Sequence, residues 1–311
     1  MRTAPGPADE ELVAWLLEGD PAIRWRVLRD LLDAPAAEVA AERARVATKG
    51  WGARLLAAQD ADGRWAGGDY SPKWTSTTYT LLQLHWLGLP AGHPAALAGC
   101  ERLWEWESHR RVPETCIVGM HVLLSASFGY RGPEVEPSLR WLLDQQLDDG
   151  GWNCQTLTDK GRHGSFHTSI TVLDALAAHA AAGPPASGAQ TGAAADRGRE
   201  FFLRHRLYRS HRTGEVAIKA SIRFPLLPQW HFDVLRGLES FAAAGAPRDP
   251  RLADAVGVLE RARRRDGRWP TYAGYPGRTW FRMEEPGASR WNTQRVLRVL
   301  RWWDAAQDAA Q

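Results

Sequence analysis

Glu114, His167, His231 and Asp233 are the carboxylates and imidazoles best placed to move protons, because each stands at the start of a predicted helix beside aromatic or thiol neighbours. Such groups act as general acids or bases near neutral pH once burial or a nearby charge moves their pKa. Trp74, Phe166, Trp230 and Trp291 occupy the same kind of position, where ring faces would hold an apolar or cationic group through their quadrupoles. Cys116, Cys154 and Asn292 complete the set of candidates for binding a substrate. The same positions also have a purely structural use. Thr75, Thr168, Thr293 and Asp233 can cap their helices, and an acidic first turn is favoured by the helix dipole.

The elements that must position these side chains show themselves in the stretch Leu142 to Leu176. A predicted helix ends at Gln145-Gln146, a tight turn follows at Asp148-Asp149-Gly150-Gly151-Trp152, a polar loop carries Cys154 and His163, and a second helix opens at Ser165-Phe166-His167-Thr168. Gln59 to Trp65 repeats the spacing of Gln146 to Trp152, and a third copy ends in Asp266-Gly267-Arg268-Trp269 with Arg263 in place of the Gln. The glycine supplies the left-handed residue that ends a helix, the Gln amide can bond the backbone groups freed there, and the Trp can lie across the joint. Three such turns in helical context predict an array of stacked helical hairpins.

Read in order, residues 9 to 18 and 21 to 33 form a helical hairpin, with Asp20 as N-cap and Pro21 at the first helical position. A third helix runs from about Ala36 to Ala47, and a fourth leads into the first turn. Helices predicted from Thr75, Glu114, His167, His231 and Asn292 are inner. Those from Ala95, Glu134, Asp196 and Pro250 are outer. Residues 183–195, rich in Pro, Gly, Ala and Ser, read as a flexible linker. The long loop 209–229 is a candidate lid or cavity wall, with a disordered surface loop as the alternative.

The Q-x3-G-x-W turns, and the Gly-Gly-Trp turn followed by a polar helix start, resemble the repeats of the squalene cyclase and prenyltransferase β-subunit superfamily. That resemblance covers roughly residues 50 to 305. It implies an all-α fold, an α/α toroid of about five to six helical hairpins around a central apolar cavity, with the N-terminal ends of the inner helices converging on one mouth. Residues 1–311 would form a single domain, 1–48 packing on the toroid or closing it. The candidates above would then share one rim, with Asp233 or His231 as proton donor and His167 or Glu114 as base.

Two reactions of the superfamily can be compared with the letters. The cyclases protonate their substrate with a DxDD motif, and this chain has none; a DDxxD magnesium-diphosphate motif is missing as well. The prenyltransferase β subunits hold zinc through Asp, Cys and His. Here Cys154, His163 and His167, with Cys116 or His231, would be the counterpart, but the Asp-x-Cys pairing is absent. No cofactor or metal is therefore expected.

Composition narrows the rest. Thirty-nine basic against 36 acidic residues give a net charge of +3, so nothing points to nucleic acid, and the Arg261 to Arg265 cluster reads as a solvated helix face. Cys100, Cys116 and Cys154 show no disulfide-type pattern and suit a reducing cytoplasm. The opening MRTAPGPADEEL does not look like a signal peptide, and no apolar run reaches the ~18 residues of a membrane span, although peripheral membrane contact stays open. Sixteen tryptophans exceed what the turns require and need places in a core or cavity wall. The expected function is binding and cyclising or isomerising an isoprenoid-like apolar substrate, the alternatives being a non-catalytic lipid- or protein-binding toroid and a zinc-dependent prenyltransferase-like protein. The oligomeric state is left open.

Overall fold

In the computed structural model, residues 7–155, 161–183 and 188–308 are described, and the chain is almost wholly helical. Burial sorts the helices into two layers. Nine of the eleven residues of α5 (Thr77–Leu87) and twelve of the fourteen of α7 (Thr115–Phe128) are buried, so these helices are enclosed on all sides. Only three of ten are buried in α8 (Val135–Asp144) and three of nine in α12 (Ala253–Arg261), the single-striped pattern of outer helices. The buried layer also contains α2 (Pro21–Asp30), α9 (Phe166–Ala181), α11 (Val234–Ala243) and α13 (Arg290–Asp308). Outside it lie α4 (Gly50–Leu56), α6 (Pro94–Ser108) and α10 (Gly188–Arg204).

Four of the buried helices pair with the outer helix that follows: α5 with α6, α7 with α8, α9 with α10, α11 with α12. The buried helices also touch in sequence, α5 to α7, α7 to α9, α9 to α11, α11 to α13, and α13 to α2. From α2 the contacts return to the start, because Trp25 Nε1 and Arg26 Nη1 both donate to Leu87 O at the end of α5, at 3.1 and 3.0 Å. Gly88 makes this junction possible: its φ is +88°, and a Cβ there would lie 2.4 Å from the Trp25 ring. α1 (Pro7–Leu17) and α2 both pack on α13, and α3 (Ala36–Ala44) packs on α2. Asp20 caps α2 by accepting from Ala22 N at 2.9 Å and also takes Trp51 N at 2.8 Å.

The three Trp turns carry the same hydrogen bonds. Trp65, Trp152 and Trp269 are fully buried, and each indole Nε1 donates to the carbonyl ten residues back, Leu55, Leu142 and Leu259, at 2.8, 2.8 and 2.7 Å. Each Trp backbone N–H donates to a hydroxyl of the next buried helix, Thr77, Ser169 or Thr293, at 3.1, 2.8 and 3.0 Å. Gln59 and Gln146 donate both to the turn glycine carbonyl and to a later outer helix, at Ala95 O and Ala194 O. Arg263, the odd letter, reaches only Gly267 O at 3.4 Å and lays its guanidinium over Trp269. Thr293 thus ties a turn rather than capping its helix, and the cap of α9 is Ser165, which accepts from Thr168 N.

The linker expected at 183–195 is helical from Gly188 onward, because Thr191, Ala194, Gly198, Phe201 and Phe202 form an apolar stripe at helical spacing and the intervening alanines favour a helix. Residues 184–187 lie outside the described residues. In the loop 209–229, Phe224 is fully buried and its carbonyl accepts from Asn292 Nδ2 at 3.1 Å, while Leu226, Leu227 and Gln229 line a smaller pocket beside Trp74 and Tyr275 rather than the cavity between the buried helices. Among the described residues no helix is long and apolar enough to cross a membrane.

Candidate functional site, an aromatic mouth and an arginine-lined cavity

At the N-terminal ends of α5, α9 and α11, four expected residues come together. His231 stacks on Trp230 at 3.8 Å between centroids, and the edges of Trp74 and His167 meet it at 5.7 and 5.5 Å. The other face of His231 is covered by Tyr275 at 3.5 Å. Tyr275 belongs to the segment between β1 (Trp269–Pro270) and β2 (Ala288–Ser289), which crosses this mouth. Trp74 Nε1 donates to Tyr275 O and Pro276 O, both at 3.1 Å, and Trp280 Nε1 donates to Thr80 Oγ1 at 3.0 Å. The crossing was not legible from the letters, since neither strand has a period long enough to read. The rim does hold a cation, but its own: the Lys73 ammonium lies 5.4 to 5.5 Å from the centroids of Tyr70, Trp74 and Trp230.

Burial, with His167 as the next cause, lowers His231 to about 3, and burial, with Arg236 next, lowers His167 to about 4. Burial thus favours the neutral form of both imidazoles, which makes His231 less suited than a carboxyl to donating a proton. His167 Nδ1 accepts from Phe232 N at 2.8 Å. Asp233 differs from both. It is fully buried, its Oδ1 caps α11 by accepting from Arg236 N at 2.9 Å, and its Oδ2 has no hydrogen-bond partner among the described residues. Burial raises its carboxyl to about 6, against the attraction of Arg295.

The other candidates are dispersed. Glu114 is exposed and pairs with Arg110 at 2.7 Å, so a surface ion pair replaces its expected role as base. Phe166 packs between α9 and α10 against Phe201, Phe202 and Phe232 rather than on a cavity. Asn292 clamps two backbone carbonyls, Phe224 O and Pro270 O. Cys154 lies beside Cys116 and Thr168, His163 is exposed, and no group of three metal-ligating side chains occurs among the described residues.

The cavity enclosed by the buried helices is not the apolar space expected. It measures about 600 Å3 and is lined on one side by Arg26, Arg29, Arg43, Arg236, Arg295 and Arg298 against two carboxylates, Asp174 and Glu239. Six positive minus two negative leaves an excess of four, and Asp30, just outside the lining and beside Arg29 and Arg298, reduces it to three. α7 and α9 add mostly apolar lining, Leu123, Ala126, Phe128, Ala177, Ala178 and Ala181, with Ser127 and Asp174 the polar residues from the same two helices. The charges come from helices spaced along the whole chain, each of which alone reads as having a solvated basic face.

The two carboxylates are already engaged. Asp174 pairs with Arg236 at 2.8 Å, and Glu239 takes Arg295 through both oxygens at 2.9 and 2.5 Å. Arg295 Nη1 is left buried without a partner. Arg26 has no carboxylate within ion-pair distance among the described residues. It donates to Ala22 O at 2.7 Å, to Leu87 O and to Trp86 O, and lies over the rings of Trp25 and Trp291 at 4.2 and 4.9 Å. Arg29 and Arg43 sit over the same Trp25 ring at 4.5 and 5.2 Å. Burial first, and Arg29 second, pull Arg26 well below the usual arginine value and lower Arg43 as well. His85, also in the wall, is lowered by burial to about 3 and is neutral. Arg236 and Arg295 are buried and paired with carboxylates, whereas Arg26, Arg43 and Arg298 are half-buried and Arg29 is exposed, so the excess positive charge is open to an anion.

No protein-family model matches this chain, and no curated protein matches it. Among solved structures, the crystal structure of a protein from Actinoplanes aligns with 96% of this chain and 98% of that one, at 17% identity and a TM-score of 0.45.

Proposed function

We propose that the chain is an α/α toroid of the squalene cyclase and prenyltransferase kind that binds an amphipathic anion, an isoprenoid bearing a phosphate or diphosphate, in its central cavity. The observation that carries this reading is Arg26, a half-buried guanidinium without a carboxylate partner among the described residues, in a cavity lined by six arginines together with apolar side chains of α7 and α9. Arginine forks match phosphate oxygens two at a time, and a site of about 600 Å3 falls within the usual range for ligand pockets. A lining that combines arginines with apolar side chains suits a charged head and a hydrocarbon tail better than a plain hydrocarbon. The closed order of helix contacts and the three matching Trp turns support the toroid and the repeat.

A second element of the reading concerns chemistry. Asp233 keeps a buried, unpartnered Oδ2 and a carboxyl that burial raises to about 6, which suits it to donating a proton, and it lies behind the residues that line the cavity rather than among them. Native mass spectrometry of the purified chain, with organic extraction of the same sample, tests the binding claim. A co-purifying prenyl phosphate supports it. A protein that stays ligand-free after incubation with prenyl phosphates overturns it.

A further inference from the structure

We propose that Cys116 and Cys154 are a disulfide-forming dithiol, oxidised by hydroperoxides and restored by small thiols. The two lie 38 residues apart in sequence, yet the fold sets the Cys116 backbone N–H 3.2 Å from Cys154 Sγ, with the donor direction toward the sulfur. The Thr168 hydroxyl lies 3.3 Å from the same sulfur. Both cysteines are partly exposed, whereas Cys100 is buried at 1% exposure and stands apart. Nothing in the anion-binding reading uses either thiol.

The environment separates their roles. The Cys116 thiol, followed by Thr168 and the Cys116 N–H, lowers Cys154, while the Cys154 thiol and burial raise Cys116. Thiolate character marks the attacking sulfur. The Cys154 thiolate attacks the terminal oxygen of the hydroperoxide. The O–O bond breaks, the alcohol leaves with a proton, and Cys154 becomes a sulfenic acid. The Cys116 thiol then loses its proton and attacks the Cys154 sulfur; the S–S bond forms and hydroxide leaves with that proton as water. Two thiols and one hydroperoxide thus yield one disulfide, one alcohol and one water. The bond would tie the start of α7 to the turn ahead of α9, the two helices that supply the apolar cavity wall.

The test is intact-mass and non-reducing peptide mapping of the full chain after hydrogen peroxide. The expected result is a loss of two hydrogens and a peptide linking Cys116 to Cys154, reversed by dithiothreitol, with Cys100 unlinked. In Cys116→Ser the same treatment should leave a sulfenic acid at Cys154 that dimedone captures, and in Cys154→Ser no such capture at Cys116. A wild-type chain that only accumulates sulfinic or sulfonic acid, or that stays unreacted with peroxide, overturns the proposal. That readout stands even if a serine variant does not fold.

Discussion

Arg26 of α2 lies over the ring of Trp291 of α13, its guanidinium carbon 4.9 Å from the ring centroid, at the seam where the first and last buried helices meet. The seam is therefore also part of the cavity lining, and contact between α2 and α13 brings the Arg26 charge into it.

Replacing Arg26 with Met should separate binding from stability. Three carbonyl hydrogen bonds are lost and the burial of an unpaired charge is relieved, so folding stability should stay within about 2 kcal/mol of wild type. Affinity for a phosphate-bearing ligand should fall by about 1.5–3 kcal/mol, roughly ten- to a hundredfold in Kd. Denaturant titration and calorimetry on one sample check both. Unchanged affinity would remove Arg26 from the site.

The Trp turns should respond alike. Trp65→Phe, Trp152→Phe and Trp269→Phe each delete the indole donor to a buried carbonyl ten residues back while keeping most of the ring's apolar area. Each should cost about 1–3 kcal/mol, the usual penalty for stranding a buried polar group. Urea unfolding of the three variants is the check. A cost confined to one of them would mean that the turns are not equivalent parts.

The pH dependence of stability should report Asp233. Its folded value of about 6 exceeds the unfolded value of 3.8, so the folded chain holds a proton that the unfolded chain releases. This preference favours folding fully below about pH 4 and is lost as pH rises toward 6, at most about 3 kcal/mol for two units of difference. Asp233→Asn, which keeps an oxygen to accept from Arg236 N, should flatten the wild-type fall in stability across that window. Parallel stability profiles for the two proteins would show that Asp233 does not hold the proton.

Opening the aromatic mouth is a further test. Tyr275→Ala removes the ring stacked on His231 at 3.5 Å and loosens the segment that crosses Trp74. Aromatic pairs contribute on the order of 1 kcal/mol each, so the variant should fold with a modest loss. Its His231 should titrate nearer the ordinary value of 6.5 as water reaches it, which NMR of the imidazole would show. A His231 pKa that stays near 3 would place the cause of its burial elsewhere.

Much of the helical layout was legible because its signals are local. Gly150 and Trp152 sit within one turn of sequence, and their chemistry, a left-handed residue followed by a large ring with a donor, has few other uses. The polar helix starts were legible for the same reason. The arginine wall was not, since Arg26, Arg43, Arg236 and Arg295 come from four helices and each resembles an ordinary basic surface position. Cys116 and Cys154 were grouped only as candidate rim or zinc residues, with no sign in their spacing of a direct contact, and Tyr275 gave no hint that it would lie on His231. Phe166 misled in the other direction: a helix start beside His167 suggested the mouth, whereas a helix has two faces and this ring takes the one toward α10.

The most direct measurement is titration calorimetry of the purified chain with farnesyl diphosphate, inorganic diphosphate and palmitate at low and high salt. The account predicts that farnesyl diphosphate binds best, inorganic diphosphate more weakly, and both less tightly as salt rises, because the arginine wall holds the head and the α7–α9 wall the tail. Farnesyl diphosphate binding no tighter than inorganic diphosphate would take the isoprenoid out of the account, palmitate binding best would replace it with another amphipathic anion, and no binding by any of the three would contradict the anion cavity itself.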